Sequence, residues 1–213
     1  MAVITISRGS YSRGKEIAEK VAAELGYQCI SRDVLLEVSK EYNIPEIKLV
    51  HAIHDAPGML ARLGRKEEKY IAFIKAALLE HLKEDNIVYH GLAGHFFVQH
   101  VPHVLKVRVL SDMEDRVRLE AERKGIDEDK ARRILEKDDK ERQKWSQSLY
   151  GIDTADPILY DLAIHIKQIT VEDAVDMICE LVSKEQFKTT PESQSQIEDL
   201  ALSAAIQKAM IDI

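Results

Sequence analysis

The stretch that decides the fold lies at the amino terminus and reads AVITIS over residues 2–7, then RGSYSRGKE over residues 8–16. The first part is short, apolar and β-branched, which predicts a buried strand. Apolar residues recur at helical spacing from Ile17 to Leu25, and Gly26 ends the run, so a helix follows. A strand, a glycine-bearing turn and a helix are the elements from which a phosphate-binding loop is built.

The turn itself has the spacing of a Walker A loop, through Gly9, Gly14 and Lys15. In such a loop the backbone N–H groups face phosphate oxygens, and the helix start and the lysine both add positive charge. Glu16 stands where a Walker A loop has the Ser or Thr whose hydroxyl binds magnesium. A carboxylate can bind magnesium but also repels phosphate, so a surface turn is the alternative interpretation of this pattern.

Composition narrows the class of protein. The 213 residues fit one domain of ordinary size, and 45% hydrophobic residues suffice for a core. A net charge of −7 argues against a general nucleic-acid binder. Two distant cysteines without a CxxC motif favour a reducing compartment, and neither a signal peptide nor a membrane-spanning run is apparent. We therefore expect a cytoplasmic protein that binds neither nucleic acid nor membrane.

Strand-like and helix-like segments alternate along the rest of the chain. Further strands are predicted at residues 27–30, 87–89, 104–110 and 162–166. The helices between and after them are predicted at residues 34–42, 67–83, 111–124, 127–145 and 171–182. This alternation indicates an α/β fold with a doubly wound parallel sheet. Ligands bind such sheets at the carboxyl ends of the strands, where the turns at Gly9 and Gly91 would lie.

The segment from residue 111 to residue 145 is predicted to form a helical hairpin rich in charges of both signs. Ser111 and Glu114 have the spacing of a capping box at its start, and Thr170 is expected to cap the last helix of the domain. Most of these charges are expected to be solvated, yet arginines can grip phosphate through two parallel hydrogen bonds. The hairpin could therefore close over a nucleotide as a lid.

Four histidines, at positions 90, 95, 100 and 103, form a cluster in the sequence. Their spacing crosses a turn, a helix and a proline, and no cysteine joins them, so a zinc site is disfavoured. Histidines that line a nucleotide pocket or are exposed are the preferred interpretation. We predict no metal site built from protein side chains alone.

Several motifs recur in an order and spacing far more specific than the loop alone. They occupy residues 4–8 with 14–18, then 88–94, 107–116, 137–142 and 150–162. Together they extend over about residues 2–182 and resemble the cytidylate kinase-like family of P-loop nucleoside monophosphate kinases. In this family a glutamate often follows the loop lysine. The resemblance implies a P-loop kinase-like domain over residues 1–186, with an acceptor-binding helical insertion at about 31–81 and a lid hairpin at about 111–150.

The resemblance also implies an activity, namely transfer of the ATP γ-phosphoryl group, with Mg²⁺, to a nucleoside monophosphate such as CMP or dCMP. The loop residues that would bind ATP are Arg8, Gly9, Ser10, Tyr11, Ser12, Arg13, Gly14, Lys15 and Glu16. The residues that would act in catalysis are Lys15, Arg116, Arg132, Asp139 and Arg142. Arg118, two residues from Arg116, faces another side of its helix and is expected to serve as a control.

Candidates for acceptor binding follow from the same resemblance. They are Arg32, Asp33, Arg62, Arg65, Gly91 and Gly94. There is one departure from the family pattern: cytidylate kinases carry an arginine in the turn after the strand at residues 87–89, where this chain has Gly91. The residues that would identify a cytosine base are not recognisable either.

The composition changes after residue 186. Residues 187–195 are polar and are predicted to be a linker, and residues 196–213 are predicted to form an amphipathic helix. Because a lone helix of this length is marginal in water, we expect it to pack on residues 1–186 or on another subunit, which would make a homodimer. The segment also weakly resembles the opening helix of BON-type domains.

Two functions from different classes remain at this point. One is an active small-molecule kinase, with ATP and a small nucleotide or related acceptor as its partners. The other is a catalytically weak nucleotide-binding module that acts as a sensor or scaffold, with the C-terminal helix as its coupling element.

Overall fold

The fold is seen in a computed structural model, which describes residues 2–9, 12–31, 33–42, 66–91 and 94–212. Five parallel strands form one sheet in the order β2-β3-β1-β4-β5. They are β1 (Val3–Arg8), β2 (Gln28–Ile30), β3 (Ile87–His90), β4 (Val104–Ser111) and β5 (Leu162–Ile166). The predicted doubly wound parallel sheet is confirmed.

Helices connect the strands and cover the sheet. They are α1 (Gly14–Leu25), α2 (Asp33–Glu41), α3 (Lys66–Leu82), α4 (Gly94–Phe97), α5 (Met113–Lys124), α6 (Glu128–Tyr150), α7 (Val171–Val182) and α8 (Pro191–Asp212). Short 3-10 turns occupy Pro157–Leu159 and Glu185–Phe187. Among the described helices, none combines the length and apolar character required to cross a membrane.

Each face of the sheet has its own apolar core, because side chains alternate between the faces along a strand. On one face, Val3 and Ile87 pack with residues of α2, α3, α4 and α8. On the other face, Ile4 and Ile6 pack with residues of α1 and α7. Burial on both sides explains why β1 is apolar at almost every position rather than at alternate ones.

The topology places a crevice at the carboxyl end of β1. This strand pairs in parallel with β3 on one side and with β4 on the other. The chain therefore leaves β1 toward one edge of the sheet and later crosses over to the other edge. The carboxyl end of the strand at which the direction reverses is where doubly wound sheets bind ligands. The loop that begins at Gly9 lies at this point.

Helices α5 and α6 form the predicted hairpin around a small core of Val117, Ala131 and Leu135. The predicted capping box at its start is wrong, since Asp112 is the N-cap residue and its side chain makes no capping hydrogen bond. That carboxylate pairs instead with His165, in β5, and with Lys167, just after it. The predicted cap at Thr170 is confirmed, because its hydroxyl and Asp173 form a reciprocal capping box.

The C-terminal helix α8 packs on the same chain, mainly along α3. Ile197, Ala201 and Ala204 are buried in the core beside that helix. The helix begins at Pro191, inside the stretch predicted to be a linker, because the hydroxyl of Thr190 accepts a hydrogen bond from the backbone N–H of Ser193. Threonine followed by proline is a typical helix start. Packing within one chain removes the reason to expect a homodimer through this face.

Candidate active site

The loop between β1 and α1 has the geometry of an anion site. Arg13 adopts a left-handed conformation (φ 61°, ψ 4°) immediately before Gly14, the first residue of α1. Such a conformation costs a non-glycine residue about 1–3 kcal/mol, and it points successive backbone N–H groups to one side. A side chain at Gly14 would place its Cβ 2.7 Å from the Cβ of Arg8, so only glycine fits. The N-terminus of α1 adds a partial positive charge at the same place.

A cavity of about 240 Å³, which we call the inner cleft, lies between this loop and the hairpin of α5 and α6. Its walls come from the ends of β1 and β4, from α4, and from α5, α6 and residues 153–155. Four arginines line it against two aspartates, Asp139 and Asp153. The arginines are Arg8, Arg108, Arg116 and Arg142. The inner cleft therefore has an excess of positive charge in a chain whose net charge is −7.

Arg116 is held rigidly at the mouth of the loop. Its two terminal nitrogens donate to the two carboxylate oxygens of Asp139, at 2.8 and 2.9 Å. Its guanidinium also packs on Gly9, where an added Cβ would lie 3.4 Å from the central carbon of that group. The pair joins α5 to α6 and fixes one planar cation against the loop. Bidentate pairing restricts the guanidinium more than a single bond would.

Arg142 is half-buried, and no carboxylate is hydrogen-bonded to it in the described structure. One terminal nitrogen donates to the backbone carbonyl of Arg8 at 3.0 Å, and its Nε has no hydrogen-bond partner among the described residues. Burial, together with repulsion from Arg8, lowers the pKa of Arg142 below its ordinary value. Such partial burial of a cation is costly, and the nearby carboxylates of Asp138 and Asp139 only partly offset that cost. It becomes favourable when an anion enters the inner cleft.

A hydrogen-bond network around the hydroxyl of Tyr160 forms the floor of the inner cleft. The hydroxyl accepts from Arg108 at 2.8 Å, and it lies 3.2 Å from Nε2 of His95 and 3.1 Å from the carbonyl of Thr154. Ser7, at the end of β1, is within 3.4 Å. Burial lowers the pKa of His95 to about 3, so its imidazole is neutral at pH 7. One hydroxyl thus ties together four segments that surround the inner cleft.

A second cavity, of about 420 Å³, lies on the outer side of Ser111, and we call it the outer cleft. Ser111 lines both clefts, and its hydroxyl donates to the carbonyl of Ser12 in the loop. The outer cleft has Leu119 and Ile166 as its apolar residues. Its polar and charged lining consists of Arg13, Asp115, Arg118, Glu122 and Lys167, with Ser111. Arg118 does face away from Arg116, as the sequence suggested, but it lines this second cavity.

Some predicted site residues lie outside both clefts. The Lys15 side chain is 65% exposed and lies 3.6 Å from Glu19, one helical turn further along α1. Glu16, in the place of the Walker A hydroxyl, pairs with Arg13 and Lys20. On the lid, Arg132 forms a pair at 3.3 Å with Glu114. The structure therefore brings Arg116, Asp139 and Arg142 together at the loop and leaves Lys15 and Arg132 at the surface.

Gly91 and Gly94, predicted at the acceptor side, both pack against Tyr89. A Cβ at Gly91 would lie 2.6 Å from the Tyr89 hydroxyl, and one at Gly94 would lie 2.4 Å from its ring. The glycine that replaces the family arginine is therefore required by the tyrosine beside it. Asp33 is the first residue of α2. Five other predicted residues lie outside the described part of the chain, namely Ser10, Tyr11, Arg32, Arg62 and Arg65.

The clustered histidines do not converge on one point. His95 lies in the inner cleft, whereas His100 is exposed and Nδ1 of His103 is 2.8 Å from the hydroxyl of Ser193 in α8. Within the described residues, no group of three or more His, Cys, Asp or Glu side chains is placed to hold a metal ion. Magnesium in phosphoryl transfer takes most of its ligands from phosphate oxygens and water. The site fits that mode of binding, with Glu16 as a nearby carboxylate whose exposed ion pairs are weak.

Sequence reasoning assigned no role to Arg108 or Tyr160. One signal was present, because Arg108 and Lys106 both interrupt the apolar run of β4, and Arg108 is the nearer of the two to the carboxyl end, where ligands bind. The partners of Tyr160 are distant in sequence, and no local pattern reveals them.

Comparison with known proteins agrees with this architecture. The sequence model of the cytidylate kinase-like family matches residues 3–168, which contain both clefts. The chain belongs to this family. A cytidylate kinase from Methanopyrus kandleri is 22% identical over 189 residues, which cover 83% of this chain and 90% of that protein.

Solved structures share the fold. An uncharacterized protein from Eubacterium ventriosum has a TM-score of 0.65 and 22% identity, over 86% of this chain and all of its own. Shikimate kinase from Bacteroides thetaiotaomicron has a TM-score of 0.54 and 11% identity, over 86% of this chain and 99% of its own. The sheet order and these neighbours establish the fold of a P-loop nucleoside monophosphate kinase. The family membership supports a phosphotransferase.

Proposed function

We propose that this protein transfers the γ-phosphoryl group of ATP to a nucleoside monophosphate, with CMP or dCMP as the first acceptors to test. The observation that carries the proposal is the inner cleft, where the half-buried Arg142 lies beside a phosphate-binding type of loop and donates to a backbone carbonyl of that loop. Phosphoryl transfer needs little covalent chemistry from the protein. It needs cations fixed around the transferred group and exclusion of water, and the arginines of the lid supply both.

The two clefts suggest where each part of the nucleotides would lie. The ATP phosphates would follow the loop from Gly9 to Gly14, beside Ser111, which the clefts share. The adenine would enter the outer cleft, where Leu119 and Ile166 offer an apolar surface and the Arg118 guanidinium can stack on a base. The acceptor phosphate would approach the inner cleft from the side of α4.

The charged residues around the loop would then have distinct roles. Arg142 would bind oxygens of the transferred group, and Arg116 would do so from the loop side. Asp139 would act as a positioning residue, since both of its oxygens hold Arg116. Lys15 would reach the phosphates by leaving Glu19, because an exposed pair at 3.6 Å contributes little. Mg²⁺ would arrive with ATP and neutralise phosphate charge, with Glu16 able to complete its ligands.

A specific observation favours the second candidate, a nucleotide-binding sensor or scaffold. Lys15 and Glu16 are both engaged in ion pairs along the surface of α1, outside the clefts. A loop whose lysine remains there would bind phosphates mainly through backbone N–H groups and the lid. Such a site can bind a nucleotide without giving the transition state any additional stabilisation.

The test is an ADP-release screen with ATP, Mg²⁺ and a panel of nucleoside monophosphates, each compared with a no-acceptor control. The proposal expects release that depends on the acceptor and is largest with CMP or dCMP. Firm ATP binding by calorimetry, with no acceptor-dependent release across the panel, would overturn the kinase and favour the sensor. A lack of ATP binding would refute both.

A further inference from the structure

A third cavity, of about 580 Å³, lies between α3, the residues after α4, and α8. It is larger than either cleft and falls within the usual range of small-molecule sites. Helix α8, which completes this cavity, lies beyond the residues that match the family. Phe96 lines both this cavity and the inner cleft.

The wall of the third cavity is apolar and firmly supported. Phe97 and Val101 are at most 6% exposed and belong to the core on this face of the sheet, and Leu200 packs against the same core. Phe96 is only partly covered, and its ring lies 4.0 Å from that of His95, centroid to centroid. Aromatic and aliphatic side chains fixed in this way give a planar ring a preformed surface to pack against.

The cavity is also lined by polar side chains, namely Lys75, Gln99, His100, Gln196 and Asp199, and Lys75 is a cation held close to the aromatic wall. Nζ of Lys75 lies 5.9 Å from the centroid of the Phe97 ring, within the range of a cation–π contact. Two carboxamides, Gln99 and Gln196, can donate or accept hydrogen bonds at the edge of a ligand. Asp199, which is exposed, also lines the cavity. An anionic group would thus be favoured beside Lys75 and disfavoured beside Asp199.

We propose that the third cavity is a second small-molecule site, which takes a planar aromatic compound bearing one anionic group. The ring packs against Phe96 and Leu200, and the anion pairs with Lys75. This site is distinct from the nucleotide clefts and its occupation does not depend on whether the protein is a kinase or a sensor.

The probe is 1-anilinonaphthalene-8-sulfonate, an aromatic anion whose fluorescence rises when it is bound in an apolar site. Leu200→Glu places a carboxylate in the wall, and Lys75→Glu reverses the cation, so each is expected to weaken probe binding at least tenfold. The matched control is Leu202→Glu, two residues along the same helix on its exposed face, and it is expected to stay within twofold of wild type. Arg142→Ala, which alters the inner cleft, is likewise expected to stay within twofold.

Thermal melts establish which variants remain folded, and Lys75→Glu carries the test if Leu200→Glu does not fold. Wild-type affinity in folded Lys75→Glu would overturn the proposal. So would an equal loss in Leu202→Glu, since it would place the probe on the outer face of α8. A loss in Arg142→Ala alone would place the probe in the inner cleft and would also overturn it.

Discussion

Replacing Arg142 with alanine is expected to separate activity from stability. The variant loses one hydrogen bond from a charged donor to the carbonyl of Arg8, which contributes about 1.5–3 kcal/mol. It also removes a half-buried cation that is partly desolvated and that Arg8 repels, which offsets part of that loss. Because these contributions oppose each other, the free energy of unfolding should change by less than about 1 kcal/mol.

The effect on turnover should be much larger. If Arg142 binds oxygens of the phosphoryl group as it is transferred, its loss should reduce turnover about a hundredfold or more, roughly 3 kcal/mol of barrier. ATP affinity should change by much less, since the interaction is strongest in the transition state. Urea unfolding, calorimetry with ATP and the ADP-release assay with the best acceptor measure the three quantities on one preparation.

Two further arginine variants test this reasoning. Arg116→Ala leaves the Asp139 carboxylate without its bidentate partner, so it should lower both turnover and stability, the latter by about 1–3 kcal/mol. Arg133→Ala, exposed on the same helix as Arg142, should change neither. The reasoning is refuted if Arg142→Ala destabilises the protein by more than about 2 kcal/mol while turnover stays within a factor of three of wild type.

Three other predictions concern α8, His95 and the loop lysine. Ile197→Ala should lower the free energy of unfolding in urea by about 2–5 kcal/mol, because this side chain is fully buried. Leu202→Ala, on the exposed face, should lower it by less than about 0.5 kcal/mol, and equal effects would contradict the packing of α8. His95 has a pKa of about 3 when folded and 6.5 when unfolded, so its contribution to stability is complete above pH 6.5 and is lost as the pH falls toward 3. His95→Gln should therefore reduce the slope of unfolding free energy against pH, by up to about 1.4 kcal/mol per pH unit in that window. An unchanged slope would show that the imidazole is protonated in the fold. Lys15→Ala should leave stability unchanged, since the pair with Glu19 is exposed, but should weaken ATP by about 1–3 kcal/mol; calorimetry that finds equal affinity would exclude the lysine from the phosphate site.

Local signals in the sequence predicted much of the fold. The apolar β1, the glycine turn and the helical spacing after it are encoded within a few residues of one another, as is the reciprocal cap of Thr170 and Asp173. The parallel sheet follows from the alternation of strands and helices. Such features are recoverable because each depends on neighbours in the chain.

Features that depend on distant partners were not recoverable in this way. Ser111 and Glu114 have the spacing of a capping box, but Asp112 is the N-cap residue, and its carboxylate pairs with His165 and Lys167 at the end of β5. Likewise, nothing near Tyr160 in the sequence shows that its hydroxyl meets Arg108 and His95. The start of α8 is a different case, since Thr190 and the following proline are typical of a helix start, whereas the polar composition around them predicts a linker.

Because α8 packs on α3, the part of the chain that forms the folded core is longer than the part that matches the family. The family match ends at residue 168, yet the core beside α3 is completed by Ile197, Ala201 and Ala204. A chain ended at the family boundary would lack these three side chains of the core, at a cost of several kcal/mol for the apolar surface returned to water. In turn, replacing α8 by a different helix could change the layer that covers this face of the sheet without changing any arginine of the inner cleft.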